Sequence, residues 1–181
     1  MLRNKRFGAG IGATAALTAS IVAMSASPAM ALTTTDTVTG TAQPELSIAV
    51  STPASAFTTG FQPGGTANSA GALLVTDTGS TPTLTAADVT SASNKGHMQL
   101  LNPITCSSSA AFLANPLSVT VTGTGVTSTP ISLSGTGQTV AAASAPVAAA
   151  VWDTAYQQTI GSGETLATGC VYTVTTTYTL S

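Results

Sequence analysis

The chain has 181 residues, only 6 % of them charged, and a formal net charge of −2. Three of its four basic residues, Arg3, Lys5 and Arg6, fall at the extreme N-terminus, leaving Lys95 alone against six carboxylates. Such a chain offers no positive surface to a phosphate backbone, which excludes nucleic-acid binding.

The basic cluster is followed by an uncharged apolar run, Phe7 to Met24, and then by Ser25-Ala26-Ser27-Pro28-Ala29-Met30-Ala31. A basic start, an apolar middle and a small-x-small site predict a cleavable secretory signal peptide, a short helix over residues 1–31. The cut falls between Ala31 and Leu32, because Ala29 and Ala31 are small enough for the narrow pockets of the peptidase. Gly, Thr and Ser interrupt the apolar run, which is short for a membrane span. The expected product, 32–181, is secreted, extracellular or held at the cell surface, free of the membrane after cleavage, and of a length that suits one domain.

Strict alternation then dominates, the mark of strands that send successive side chains to opposite faces. Thr35 to Ala42 is the first candidate strand, followed by Leu46 to Ser51, where Leu46, Ile48 and Val50 alternate with small polar residues. Ala72 to Thr78 and Thr83 to Ala87 come next, then Leu117 to Thr122, with Leu117, Val119 and Val121 on one face. Thr129 to Leu133, Ala148 to Trp152 and Tyr156 to Ile160 precede a closing strand in which Tyr172, Val174, Thr176, Tyr178 and Leu180 share a face. Turn-formers separate them: Gln62-Pro63-Gly64-Gly65, Asn94-Lys95-Gly96, Asn102-Pro103, Asn115-Pro116, Gly135-Thr136-Gly137 and Gly161-Ser162-Gly163. The Ala-rich stretch 141–145 has helix propensity but runs into Pro146, so it is expected to be a loop leading into a strand. Many short strands with frequent turns predict an all-β protein, an antiparallel β-sandwich of Ig-like, Greek-key type.

Cys106 and Cys170 are the only cysteines. In an exported chain an even count pairs, so one structural disulfide is expected. It closes a loop of about 65 residues, worth roughly 4 kcal/mol in the chain-entropy model.

Candidate chemistry is sparse. Asp77-Thr78-Gly79-Ser80, preceded by Leu73, Leu74 and Val75, is similar to the active-site signature of aspartic proteases. One copy would serve only in a symmetric dimer, since that chemistry needs two carboxylates sharing a proton. The same four residues are also ordinary turn chemistry after a strand. His97 is the sole histidine and reads as a solvated turn residue, which leaves a catalytic triad or a histidine metal site without support. No Asp-x-Asp calcium loop is present, and neither cofactor nor metal is expected. Lys95 permits an isopeptide cross-link to an asparagine, but only if its amine is desolvated. Of the aromatic residues, Trp152, beside Asp153 at an expected strand end, is the candidate for surface contact, whereas Tyr172 and Tyr178 belong with core packing.

The closing segment Tyr172-Thr-Val-Thr-Thr-Thr-Tyr178-Thr179-Leu180 resembles the distal motif of WxL-type cell-surface domains, a strand ending in an aromatic residue followed by Thr-Leu. The likeness covers mainly this last strand; Trp152 is followed by Asp153-Thr154, so the proximal Trp-x-Leu is absent. The resemblance implies a secreted β protein associated with the bacterial cell wall. The expected function is accordingly non-enzymatic: a structural or adhesive envelope protein bound non-covalently to a cell-wall polymer or to other envelope proteins. Two alternatives stand beside it. One is a homo-oligomeric filament or surface-layer subunit assembled by strand exchange through Leu32 to Ala42; the other is the dimeric protease of Asp77.

Overall fold

The computed structural model describes residues 43–58, 60–90, 93–101, 103–107 and 109–181. The expected signal peptide, its cleavage site at Ala29, Ala31 and Leu32, the strand Thr35 to Ala42 and Asn102 lie outside the described residues. Among the described residues the regular structure is strand throughout, in three antiparallel sheets, with no helix.

The strands are β1 (Leu46–Thr52), β2 (Thr66–Asp77), β3 (Thr83–Ala87), β4 (His97–Leu100), β5 (Phe112–Pro116) and β6 (Ser118–Thr122). They continue with β7 (Val126–Ser128), β8 (Ile131–Ser132), β9 (Gln138–Ala143), β10 (Val147–Thr159), β11 (Tyr172–Thr173) and β12 (Thr177–Leu180). Five form a sheet in the order β1-β2-β10-β6-β8, four a sheet in the order β12-β3-β9-β7, and three a small sheet in the order β11-β4-β5.

Alternation puts one apolar face of the five-stranded sheet against one of the four-stranded sheet. Leu73 and Val75 of β2, Trp152 of β10, Val119 and Val121 of β6 and Ile131 of β8 meet Leu84 and Ala86 of β3 and Val140 and Ala141 of β9. Burying such faces against each other is what makes a two-layer β protein stable. Tyr156 and Tyr178 close one flank of this core, with the Tyr178 hydroxyl donating to that of Tyr156 at 2.9 Å. Burial, then the shared hydrogen bond, push the Tyr178 phenol well above its ordinary pKa.

A second, smaller core lies under the three-stranded sheet, where Met98, Leu100, Leu113, Ile160, Tyr172 and Cys106 are buried together. Phe57, Phe61 and Tyr172 pack in a chain of edge-on and tilted contacts there, with ring centroids 5.2 and 6.0 Å apart. Cys106 and Cys170 are bonded beside them, with Cα atoms 5.8 Å apart.

Four sequence expectations are corrected. The closing segment is two strands: Tyr172 and Thr173 pair with β4, whereas Thr177 to Leu180 pair with β3. Tyr172, Val174, Thr176, Tyr178 and Leu180 keep a period of two in the sequence across the break, which is why it reads as one strand, although Thr176, Thr177 and Tyr178 are all half-buried. Ala148 to Trp152 and Tyr156 to Ile160 are one long strand, β10, whose register slips between Val147 and Ala150 as Ala149 adopts φ +49°. Of the Ala-rich stretch, Ala141 to Ala143 are strand and only Ser144 and Ala145 form the expected loop into β10; β9 runs from Gln138 to Ala143, and a register shift opposite Leu84 and Thr85 leaves Val140 as an extra residue. Val140 and Ala141 are therefore buried side by side, a pattern that hides the period of two.

Trp152 is the fourth correction. It is 0 % exposed at the centre of the main core, not at the surface. It sits in the middle of β10 on the face shared with Thr154, so alternation directs it inward. Gly123 lies against the indole edge, and a Cβ there would come within 2.8 Å of Trp152 Cδ1. The indole N–H meets no acceptor among the described residues, so the ring serves through its apolar area.

Candidate functional site

The outward face of the five-stranded sheet carries the most built surface feature. Register sets Asn68 of β2, Gln157 of β10 and Ser118 of β6 in one row, and Ala70, Ala155 and Thr120 in the next. These are the positions that alternate with the buried side chains of the same strands. The segment after β1 stands over one side, its Ser55 and Thr58 N–H groups donating to the Ala70 and Asn68 carbonyls. Pro130 stands on the other side, and together they enclose a trough of about 650 Å³.

The lining of the trough is hydroxyl, amide, alanine and proline, with no charged residue. Gln157 Nε2 donates to Asn68 Oδ1 at 3.2 Å, which orients both amides along the floor. What remains free on each amide is a neutral donor or acceptor turned to solvent. The surface is thus chemically fit to recognise an uncharged polyhydroxylated ligand, with small methyl-bearing residues giving it flat contact. These residues were not singled out from the sequence, because on any one strand they are merely the polar half of an alternation.

Other expectations fall elsewhere. Asp77 ends β2 and is 3 % exposed; its Oδ1 accepts the Gly79 and Ser80 N–H groups at 3.0 and 2.9 Å, and its Oδ2 accepts the Ser80 hydroxyl at 2.6 Å. Those bonds, the Ser80 hydroxyl first, hold the carboxyl below its ordinary range. Thr78 exchanges hydrogen bonds with Glu45, Thr78 N to Glu45 O at 3.0 Å and Glu45 N to Thr78 Oγ1 at 2.9 Å. The Asp-Thr-Gly-Ser tetrad therefore builds a turn and fastens the start of β1.

His97 is the first residue of β4 rather than a solvated turn residue; it is half-buried, with Nδ1 2.7 Å from the Leu113 carbonyl. Lys95 is exposed, its stem lying over Gly135, so its amine lacks the desolvation that cross-linking requires. Beside it, Asp88 is the buried carboxylate of the loop, 1 % exposed, with Oδ1 accepting the Thr90 N–H at 3.0 Å and Oδ2 the Gly96 N–H at 2.8 Å. Burial pushes its pKa up, but the Thr90 hydroxyl, the Gly96 and Thr90 N–H groups and the charge of Lys95 together carry it below the ordinary value. Asp88 organises its loop.

Among the described residues, no three His, Cys, Asp or Glu side chains are grouped to hold a metal ion, and no helix is long and apolar enough to cross a membrane. Compared with known proteins, the chain matches no family model, no curated protein and no solved structure.

Proposed function

We propose that this is a secreted, non-enzymatic envelope protein that attaches non-covalently to a cell-wall polymer, with an Ig-like, Greek-key sandwich as its scaffold. The observation that carries the reading is the uncharged trough across β2, β10 and β6, whose Asn68, Gln157, Ser118 and Thr120 suit a neutral polyhydroxylated chain. The likeness of Tyr172 to Leu180 to WxL-type domains and the export signal point to the same setting. An extended trough open along one sheet face admits a polymer without needing its end.

The test is a pelleting assay of the secreted chain, disulfide intact, with and without isolated cell-wall material. The protein is expected to pellet only with wall, and to do so equally at low and high salt because no charge lines the trough. Replacing both amides, Asn68→Ala with Gln157→Ala, is expected to weaken retention about tenfold through the lost hydrogen bonds. Protein that stays soluble with wall, or retention indifferent to the double variant, overturns the reading.

A further inference from the structure

The five-stranded sheet ends in β1, and β1 is unlike the other edges. Among the described edge strands it is the longest, seven residues against two in β8, three in β7, four in β12, two in β11 and five in β5. Natural sheets blunt such edges with charge, proline or brevity, because an open row of N–H and C=O groups templates another strand. Leu46–Thr52 has neither a charge nor a proline.

The direction of its free groups follows from the pairing. Glu45 O accepts the Thr78 N–H, and the same register continues with Ser47 opposite Thr76 and Ala49 opposite Leu74. In an antiparallel pair the residues that bond the partner strand alternate with those that face away. Leu46, Ile48 and Val50 therefore present their backbone groups to the side on which, among the described residues, no strand pairs with β1. Their side chains share the inward face, yet Leu46 is 58 % and Val50 63 % exposed, because β12 opposite them is too short to cover them. A crevice of about 290 Å³ runs between β1 and β12, walled by Leu46, Ile48, Tyr178 and Leu180.

We propose that β1 is a homodimer interface, in which two copies pair antiparallel about a two-fold axis at Ile48 to form one continuous ten-stranded sheet. The second copy is the occupant that the chemistry selects. A two-fold strand pair sets a segment against its own reversed copy, so a segment that is uncharged and apolar on both sides of the axis is complementary to itself. Here the pairing sets Ile48 against Ile48 and Leu46 against Val50 twice, an all-apolar row that continues the core face of each sheet. Parity agrees: all three residues face the open side and all three point inward, so hydrogen bonding and burial are satisfied in one register.

Sedimentation of the secreted chain with its disulfide intact tests this, using a paired set of edge variants. The wild-type chain is expected to sediment as a dimer at micromolar concentration. Leu46→Lys with Val50→Lys sets like charges opposite each other and is expected to weaken dimerisation at least ~100-fold, whereas Leu46→Glu with Val50→Lys sets opposite charges across the same axis and restores it. Both positions are already exposed, so the variants are expected to fold, with circular dichroism as the check. A wild-type monomer, a double-lysine variant that stays dimeric, or polymers indifferent to both substitutions overturns the proposal; the last result would mean that a segment other than β1 joins the copies. The trough residues are not on this edge, so wall retention by a monomeric variant separates failure of this interface from failure of the attachment reading.

Discussion

The two hydrophobic cores differ in how they are held. The main one is built from twelve buried residues on the facing surfaces of two sheets, and its strands β2 and β10 pair along most of their length. The smaller one has six buried residues under strands of two to five residues, and one of the six is a disulfide cysteine. The contrast teaches where a covalent link is needed: ladder and burial suffice in the first, whereas the second has too little apolar area to order the long loops around it.

The sharpest way to break the contrast is to attack the main core. Trp152→Ala removes the largest fully buried side chain and is expected to cost about 4 kcal/mol, lowering the midpoint of denaturant unfolding for both regions together. Removing the bridge with Cys106→Ser and Cys170→Ser is expected to cost about 3 kcal/mol. Its signature is local: hydrogen exchange should accelerate in β4, β5 and β11 while β2 and β10 stay protected. Equal acceleration in both sheets would mean that the two cores unfold as one.

The smallest effect sharpens the comparison at the joint between the regions. Asp88 follows β3 of the main sandwich, donates its backbone N–H to the Ser134 carbonyl, and accepts the Gly96 N–H at the start of the smaller sheet. Gly96 adopts φ +83°, and a Cβ there would run into the Leu133 carbonyl, so no other residue fits. Asp88→Asn is expected to cost about 2 kcal/mol at pH 7, by weakening a charge-assisted bond to a buried N–H. Because the folded carboxyl titrates below its ordinary value of about 4, the stability it contributes is present above that value and lost as pH falls through the depressed one. The difference between wild type and variant should therefore close below about pH 4, as unfolding curves across pH would show.

Much of the fold was legible where one face is buried and the other is wet. Leu46 to Val50, Thr83 to Ala87 and Val119 to Val121 fall on observed strands because their alternation is clean. β9 was missed because a bulge puts Val140 and Ala141 on the same side, and β4 because His97-Met98-Gln99-Leu100 follows a turn signal and has only two apolar residues. Trp152 was misplaced for a related reason: with β10 divided in two, it stood at a strand end, and only the uninterrupted strand puts it at the centre.

From the residues alone came the β class, the pairing of the two cysteines and the turn formed by Asp77 to Ser80, all of them set by local chemistry or by a count of two. Tertiary structure alone decided the trough and the open edge. Asn68, Gln157 and Ser118 lie 89 and 39 positions apart along the chain and meet only because β10 pairs with both β2 and β6. Likewise, Leu46 and Val50 read as core residues from their period of two, and they are exposed because the strand opposite them is short. Alternation says which side chains share a face; strand order and strand length decide what, if anything, that face meets.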